Sequence, residues 1–234
     1  MTTAVIIQAR MGSTRLPGKV MMKLGSCTVL EHVLNRCRRI EAADAVCLAT
    51  SVDPRDDVVA REAARLGVMV FRGDEQDVLS RYHGAAQLAR ADEVLRVTAD
   101  CPLIDPEVCS EVIRLRRSAD VDYACNFTPP SFPHGLDCEA FSRAALDLAQ
   151  RSSDTAYQRE HVTVWLIENQ NISKANVSNS ADDASKNRWT LDTPQDYQFL
   201  SSIFTQHADA VARMRWRELL ASLNQSPAQE HITT

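Results

Sequence analysis

Ala4-Val5-Ile6-Ile7-Gln8-Ala9, followed by Arg10-Met11-Gly12-Ser13-Thr14-Arg15-Leu16-Pro17-Gly18-Lys19, is the stretch on which the fold of this chain turns. The run from Ala4 to Ala9 is largely apolar and of strand length. Thr28 to Ile40 then sets Leu30, Val33, Leu34, Cys37 and Ile40 at helical spacing. Strand, polar loop and helix therefore follow one another. Thr28 and Glu31 form the T-x-x-E pattern of a capping box, in which each side chain satisfies a backbone N–H left free at the helix start.

The same unit recurs downstream. Ala45 to Thr50 reads as strand, Arg55 to Leu66 as a helix closed by Gly67, Val68 to Phe71 as strand and Asp77 to Ala89 as helix. Glu93 to Thr98 is a fourth strand, and Pro106 to Arg117 a helix with proline in its first turn. Such alternation predicts an α/β protein with three layers, α/β/α, around a mostly parallel central sheet. Sheets of this kind bind ligands at the carboxyl ends of their strands, near the point where strand order reverses. Beyond a strand at Val121 to Asn126 the rhythm changes. Thr128 to Gly135 is a turn-rich loop, Leu136 to Phe141 alternates like a half-buried strand, and Thr155 to Glu168 reads as a helix. Ile172 to Val177 reads as an edge strand, Ser178 to Lys186 as a loop, Arg188 to Leu191 as a returning strand, and the segments near Gln195 to Phe204 and Ala208 to Leu223 as helices.

Composition narrows the function. The chain has 234 residues, 44% hydrophobic and 24% charged, enough for a core without metal or disulfide staples. Its seven cysteines are scattered and form no C-x-x-C pair, which argues against a disulfide framework or a structural zinc site and fits the cytoplasm. The first residues lack a basic n-region and no run of about 18 apolar residues occurs, so neither a secretion signal nor membrane insertion is expected. The net charge is -5, yet residues 1 to 40 carry seven basic side chains against the single acid Glu31. An acidic protein with one basic end suits a small polyanion better than a nucleic-acid track, which rests on many phosphate contacts.

The loop from Gln8 to Lys19 has the make-up of a phosphate-binding segment: glycines for close backbone approach, and Arg10, Arg15 and Lys19 for charge-assisted hydrogen bonds. It is neither a Walker A loop, because five residues separate Gly12 from Gly18-Lys19 and Val20 follows, nor a G-x-G-x-x-G turn. Ordinary exposed loop charges are the other reading of the same three cations.

The segment IIQARMGSTRLPGK resembles the opening signature of sugar-acid cytidylyltransferases, closest to the spore-coat polysaccharide biosynthesis protein F branch and related to the Kdo and acylneuraminate enzymes. The resemblance continues in order through Arg72-Gly73-Asp74-Glu75-Gln76-Asp77-Val78-Leu79-Ser80-Arg81-Tyr82, Thr98-Ala99-Asp100-Cys101-Pro102-Leu103-Ile104-Asp105, Gly135-Leu136-Asp137-Cys138-Glu139, Arg159-Glu160-His161-Val162-Thr163 and Arg188-Trp189-Thr190-Leu191-Asp192-Thr193-Pro194. It implies the nucleotide-diphospho-sugar transferase (GT-A-like) fold. It also implies transfer of CMP from CTP to a sugar, with an acidic, ulosonic-type sugar as acceptor, and a homodimeric enzyme. By the same resemblance Asp100 and Asp192 hold Mg2+, Ala9, Arg10, Gly12, Ser13, Arg15, Lys19, Arg81 and Asp100 bind the nucleotide, and Arg15, Lys19, Asp100 and Asp192 carry catalysis. His134, Asp137, Glu139 and His161 fall in the sugar half; Asp137 and Glu139, two apart on the expected strand, share a face. The expected organisation is one domain over residues 1–224, nucleotide-binding to about 120 and sugar-binding beyond, with 225–234 as a flexible tail.

Each residue has a plainer reading. Asp192 before Thr193-Pro194 can be a helix N-cap, Asp100 near Pro102 a turn former, Arg81 a solvated arginine on a helix, and His161 a core histidine. Thr-Ala-Asp-Cys-Pro also departs from the Gly-Asp-Glu-Pro form of the Kdo enzymes. Two other classes remain open. One is a glycosyltransferase, whose D-x-D spacing occurs here only at Asp120-Val121-Asp122, opening a strand rather than closing one; the other is a non-catalytic nucleotide-sugar binding protein.

Overall fold

The computed structural model describes residues 1–179, 181 and 183–225. In chain order its elements are β1 (Thr3–Gln8), a hairpin of β2 (Lys23–Leu24) and β3 (Cys27–Thr28), α1 (Val29–Cys37), β4 (Ala45–Ser51), α2 (Asp57–Arg65), β5 (Met69–Gly73), α3 (Val78–Leu88), β6 (Glu93–Thr98) and α4 (Pro106–Ser118). The second half adds β7 (Tyr123–Cys125), β8 (Glu139–Ser142), α5 (Arg143–Ser152), α6 (Ala156–Glu160), α7 (Val164–Glu168), β9 (Lys174–Asn176), α8 (Pro194–His207) and α9 (Trp216–Asn224).

Seven strands form one sheet in the order β5-β4-β1-β6-β8-β7-β9. Every pairing is parallel except those of β8, which runs antiparallel to both β6 and β7. Alternate residues of β1 explain the layers. Val5 and Ile7 pack with Leu30, Val33 and Leu34 of α1, Val59 of α2 and Val112 of α4, whereas Ala4 and Ile6 face Leu79 and Tyr82 of α3 and Leu146 of α5. From β1 the chain moves outward to β4 and β5, then returns to β6 on the other side of β1. The reversal between β1 and β6 places the ends at Gln8 and Thr98 beside each other, where a parallel sheet takes its ligand. A third apolar cluster joins Leu24 and Val29 to Leu136, Trp189, Leu191 and the inner faces of α8 and α9.

Several expected elements differ in detail. The helix of Thr155 to Glu168 is broken into α6 and α7, because Val162 takes φ 56° and no helix continues through that conformation. Helix α5 has no counterpart in the sequence reading, although Ser142 caps it by accepting from Ala145 N at 3.1 Å and Ala145, Leu146 and Ala149 line its buried stripe. Arg188 to Leu191 is not a strand. It is an extended segment touching the chain through an isolated bridge between Arg188 and His134 and through Leu191 N donating to Asp100 O at 2.8 Å. The strand read as Leu136 to Phe141 begins only at Glu139, so Asp137 precedes it. Half of the T-x-x-E box forms: Thr28 caps Glu31 N at 3.0 Å, while the Glu31 carboxylate pairs with Arg65. Apart from Gln225, the expected tail lies outside the described residues.

Candidate functional site

The segment after β1 is a tied turn. Met11 O accepts from Ser13 N at 2.9 Å and from Gly18 N at 3.0 Å, and Met11 N donates to Asp56 Oδ1 at 2.6 Å. Gly18 at φ +73° occupies the left-handed region that glycine enters without a Cβ clash, and the chain turns there into the short 3₁₀ turn that carries Lys19. At Gly12 a Cβ would stand 2.9 Å from Glu75 Oε1, so the glycine is what allows that approach. Among the described residues nothing accepts a hydrogen bond from the amides of Gly12, Thr14 or Arg15. The loop therefore offers free N–H donors to an anion.

The two aspartates expected to act together do meet. Lys19 Nζ donates to Asp100 Oδ2 at 2.6 Å, to Leu191 O at 2.8 Å and to Asp192 Oδ1 at 2.9 Å, which uses all three ammonium protons. Arg15 lies 2.9 Å from the same Asp192 oxygen, and Arg188 holds the other at 2.8 Å. The meeting depends on the backbone bond from Leu191 N to Asp100 O, which docks the Arg188–Asp192 segment against the end of β6. Burial works against the charges here, but the neighbours outweigh it. Lys19 stays above its ordinary pKa because of Asp100 and Asp192, and Asp192 falls below its own because of Lys19, Arg188 and Arg15. The helix-cap reading of Asp192 goes to its neighbour: Thr193 Oγ1 accepts from Asp196 N at 3.2 Å, and Asp196 answers to Thr193 N at 2.8 Å, a complete capping box. The Asp192 carboxylate is thus left to the cations.

These groups form the floor of a cavity of about 340 Å³ whose wall includes Gln8, Ala9, Arg10, Gly12, Ser13 and Arg81. Its size suits a small-molecule site. Arg10 stands 3.7 Å from both Glu75 and Glu160, a loose pairing that a phosphate can displace. Arg81 is not a solvated helix arginine. It is 2% exposed, donates to Asp74 O and Glu75 O at 3.1 Å each, and among the described residues its buried Nε–H has no hydrogen-bond partner. His161 is no core residue either: it is exposed, sets its ring at a tilt 4.5 Å from that of Tyr157 and lines this first cavity.

His134, Asp137 and Glu139 line a second cavity of about 440 Å³ with Phe127, Pro130 and Phe132. Asp137 Oδ2 lies 2.6 Å from His134 Nδ1, and this hydrogen bond raises the imidazole pKa against partial burial. Glu139 is buried at 2% exposure, accepts from Tyr123 OH at 2.6 Å and pairs with Arg96. Arg96 and Thr98 line both cavities, so the two sites share one wall. Arg96 was not singled out by sequence, although it lies only four residues before Asp100, because a charged residue inside an apolar strand carries no sign of which face it serves.

Only three of the seven basic residues before position 40 reach the site. Arg36 instead donates to Ile104 O at 3.2 Å and Met214 O at 3.3 Å, and Arg39 to Ala212 O at 2.8 Å, tying down the C-terminal segment. Burial lowers Arg36 to about 10. Cys101 beside Asp100 is buried, and its thiol is pushed up by that burial, which removes it as a nucleophile. Asp122 of the D-x-D spacing bonds Ser173 Oγ at 2.7 Å, at the amino end of β7 and so at the edge of the sheet opposite Asp100.

The cytidylyltransferase family model matches residues 4–222. The chain belongs to the cytidylyltransferase family. This cytidylyltransferase is 30% identical to the spore coat polysaccharide biosynthesis protein SpsF of Bacillus subtilis, over 95% of this chain and 94% of that protein. A solved cytidylyltransferase from Leptospira borgpetersenii superposes with a TM-score of 0.92 at 31% identity, covering 100% of this chain and 98% of the other. The structure of CMP:2-keto-3-deoxy-manno-octonic acid synthetase complexed with CTP shares the fold at a TM-score of 0.69 and 18% identity, covering 88% of this chain and 100% of that one. Among the described residues no helix is long and apolar enough to cross a membrane.

Proposed function

We propose that this cytidylyltransferase moves CMP from CTP onto a sugar hydroxyl, releasing pyrophosphate and making a CMP-sugar for surface polysaccharide or glycan synthesis. The observation that carries the reading is the convergence of Asp100 and Asp192 on Lys19 at the carboxyl edge of β1 and β6, beside a loop whose Gly12, Thr14 and Arg15 amides bond to nothing among the described residues. The acceptor hydroxyl oxygen attacks the α-phosphorus in line, the bond from that phosphorus to the oxygen bridging it to the β-phosphate breaks, pyrophosphate departs with that electron pair, and the hydroxyl proton is lost to water. Arg10, Arg15 and the amides of Gly12, Thr14 and Arg15 are placed to counter charge growing on the leaving group. Lys19 has no proton to spare for phosphate in this arrangement; its work is to hold two carboxylates side by side. A small Kd change with a large loss of turnover is therefore its expected signature.

Asp100 and Asp192 suit a divalent ion. Both are hard oxygen donors already gathered around one cation, and among the described residues no third acidic, histidine or cysteine ligand joins them. Two carboxylates, completed by phosphate and water oxygens, are a set that Mg2+ accepts. When bound, the ion polarises phosphoryl oxygens and acidifies the attacking hydroxyl. The second cavity, one wall away, is the place for the acceptor, with His134, Asp137 and Glu139 as its polar groups. A homodimer at work in the cytoplasm belongs to the same reading.

The test is pyrophosphate release with CTP, UTP, GTP and ATP against ulosonic acids, ordinary sugars and sugar phosphates. Release with CTP only when a sugar is added is the expected result. No release from CTP with any acceptor, or release from every nucleotide without one, would overturn the proposal.

A further inference from the structure

The geometry points to Arg96 as the residue that seats the acceptor sugar, an inference that rests on the nucleotidyl-transfer reading above. Arg96 and Thr98 stand two apart on β6, on the same face and roughly 6–7 Å from each other along the strand, and Asp100 follows. Of the described residues lining the first two cavities, these two alone belong to both. A molecule in the second cavity that must reach a phosphorus in the first passes them.

The guanidinium is fixed before any ligand arrives. Arg96 and Glu139 are direct partners in the antiparallel register of β6 and β8, and the Glu139 carboxylate is steadied from behind by Tyr123 OH at 2.6 Å. On its other side Arg96 Nη2 donates to Gln8 Oε1 at 3.3 Å, and the group lies 5.9 Å from the centre of the Tyr82 ring. Burial opposes the charge, but Glu139 outweighs it and keeps the guanidinium firmly protonated. Of the five N–H donors, one on Nη1 is committed to Glu139 and one on Nη2 to Gln8; the Nε–H is sealed from solvent, and among the described residues the second proton of each Nη has no hydrogen-bond partner. A donor left over in a rigid, charge-balanced arginine at the junction of two cavities supplies direction more than net charge. The matching ligand chemistry is an acceptor oxygen of the sugar, whether on a hydroxyl or on a carboxylate. Arg96 thus acts as a positioning residue, holding the sugar so that its attacking hydroxyl faces Asp100.

Removing Arg96 alone strands the buried Glu139, so two variants are needed. Arg96→Lys keeps a cation beside Glu139 but loses the planar fork, and the pair Arg96→Met with Glu139→Gln removes both charges while sparing the Tyr123 bond. Calorimetry with CTP and pyrophosphate release with saturating CTP are measured on each, after a melting curve establishes folding. The expected result is an acceptor KM raised about tenfold to a hundredfold in the double variant and several-fold in Arg96→Lys, with Kd for CTP within about threefold of wild type. An increase confined to sugar acids identifies the contacted oxygen as carboxylate, and one shared by neutral sugars identifies it as hydroxyl. A folded double variant with unchanged acceptor KM, or one whose CTP affinity falls as far as its acceptor affinity, overturns the assignment. A wild-type protein that neither binds CTP nor releases pyrophosphate counts instead against nucleotidyl transfer itself.

Discussion

The two cavities meet at Arg96 and Thr98, yet they are built on opposite electrostatics. The first sets Arg10, Arg15, Lys19, Arg81 and Arg96 against Asp100, Glu160 and Asp192, a lining with more cations than carboxylates in which Arg10 and Arg15 are the ones open to a triphosphate. The second sets Arg96 against Asp137 and Glu139 over Phe127 and Phe132, one cation against two carboxylates, and protonating His134 only brings it to balance. In the first, Lys19 holds Asp100 and Asp192 at once and Asp192 answers to Arg15 and Arg188 as well; in the second, His134–Asp137 and Arg96–Glu139 are separate pairs. Perturbing the first should therefore be costly and cooperative, and perturbing the second selective and mild.

The largest expected effect tests the cooperative side. Lys19→Ala or Lys19→Met should lower turnover of CTP and acceptor on the order of 10²-fold or more, measured as pyrophosphate release, because Asp100 and Asp192 lose the cation that gathers them. A Lys19 variant with normal turnover would erase the contrast. Next, Asp100→Asn and Asp192→Asn should each cause a comparable loss, and the double substitution should cost far less than the product of the two. Independent, multiplying effects would mean that the aspartates do not act as a unit. A smaller effect belongs to the second cavity. Tyr123→Phe removes only the support behind Glu139, and should raise acceptor KM by roughly fivefold while leaving Kd for CTP unchanged.

The smallest effect concerns pH. The folded pKa of His134 is raised by Asp137, so the pair contributes stability that is fully present below the unfolded value of about 6.5 and fades as pH rises through the higher folded value. His134 is 53% exposed, and its contribution should stay under about 1 kcal/mol. Urea unfolding of wild type and His134→Gln at pH 5.5 and 8.5 reads the difference, which should be larger at the lower pH. Asp192 behaves in the opposite sense: its lowered pKa contributes stability above the unfolded value of about 3.9, lost as pH falls through the folded one.

The first half of the molecule was far more legible than the second. Apart from the β2–β3 hairpin, which falls in a stretch read as loop, the strands and helices from β1 to α4 stand within a few residues of their periodic patterns, because the 3.6 and 2.0 periods are local properties. Past position 120 the strands shrink to three or four residues, too short for a period to declare itself, and α5 went unread although its cap and stripe are ordinary. The break at Val162 has no sequence signature at all, since a β-branched residue is a poor candidate for positive φ. It is this break that separates His161 from the helix core and leaves it at the first cavity, away from the sugar-half residues with which it was grouped.

By itself, then, the amino-acid sequence determined an α/β sheet with a cationic, glycine-bearing loop at the carboxyl end of its first strand, since apolar period and loop chemistry are written in neighbouring residues. Its resemblance to known cytidylyltransferases supplied the names of two distant aspartates. Only the tertiary structure decided that Asp192 reaches Asp100, through the Leu191 amide on the Asp100 carbonyl, and that Arg96 meets Glu139, through the register of an antiparallel pair. Such contacts join residues 43 and 91 positions apart, and they follow from how the layers pack rather than from any pattern a local window contains.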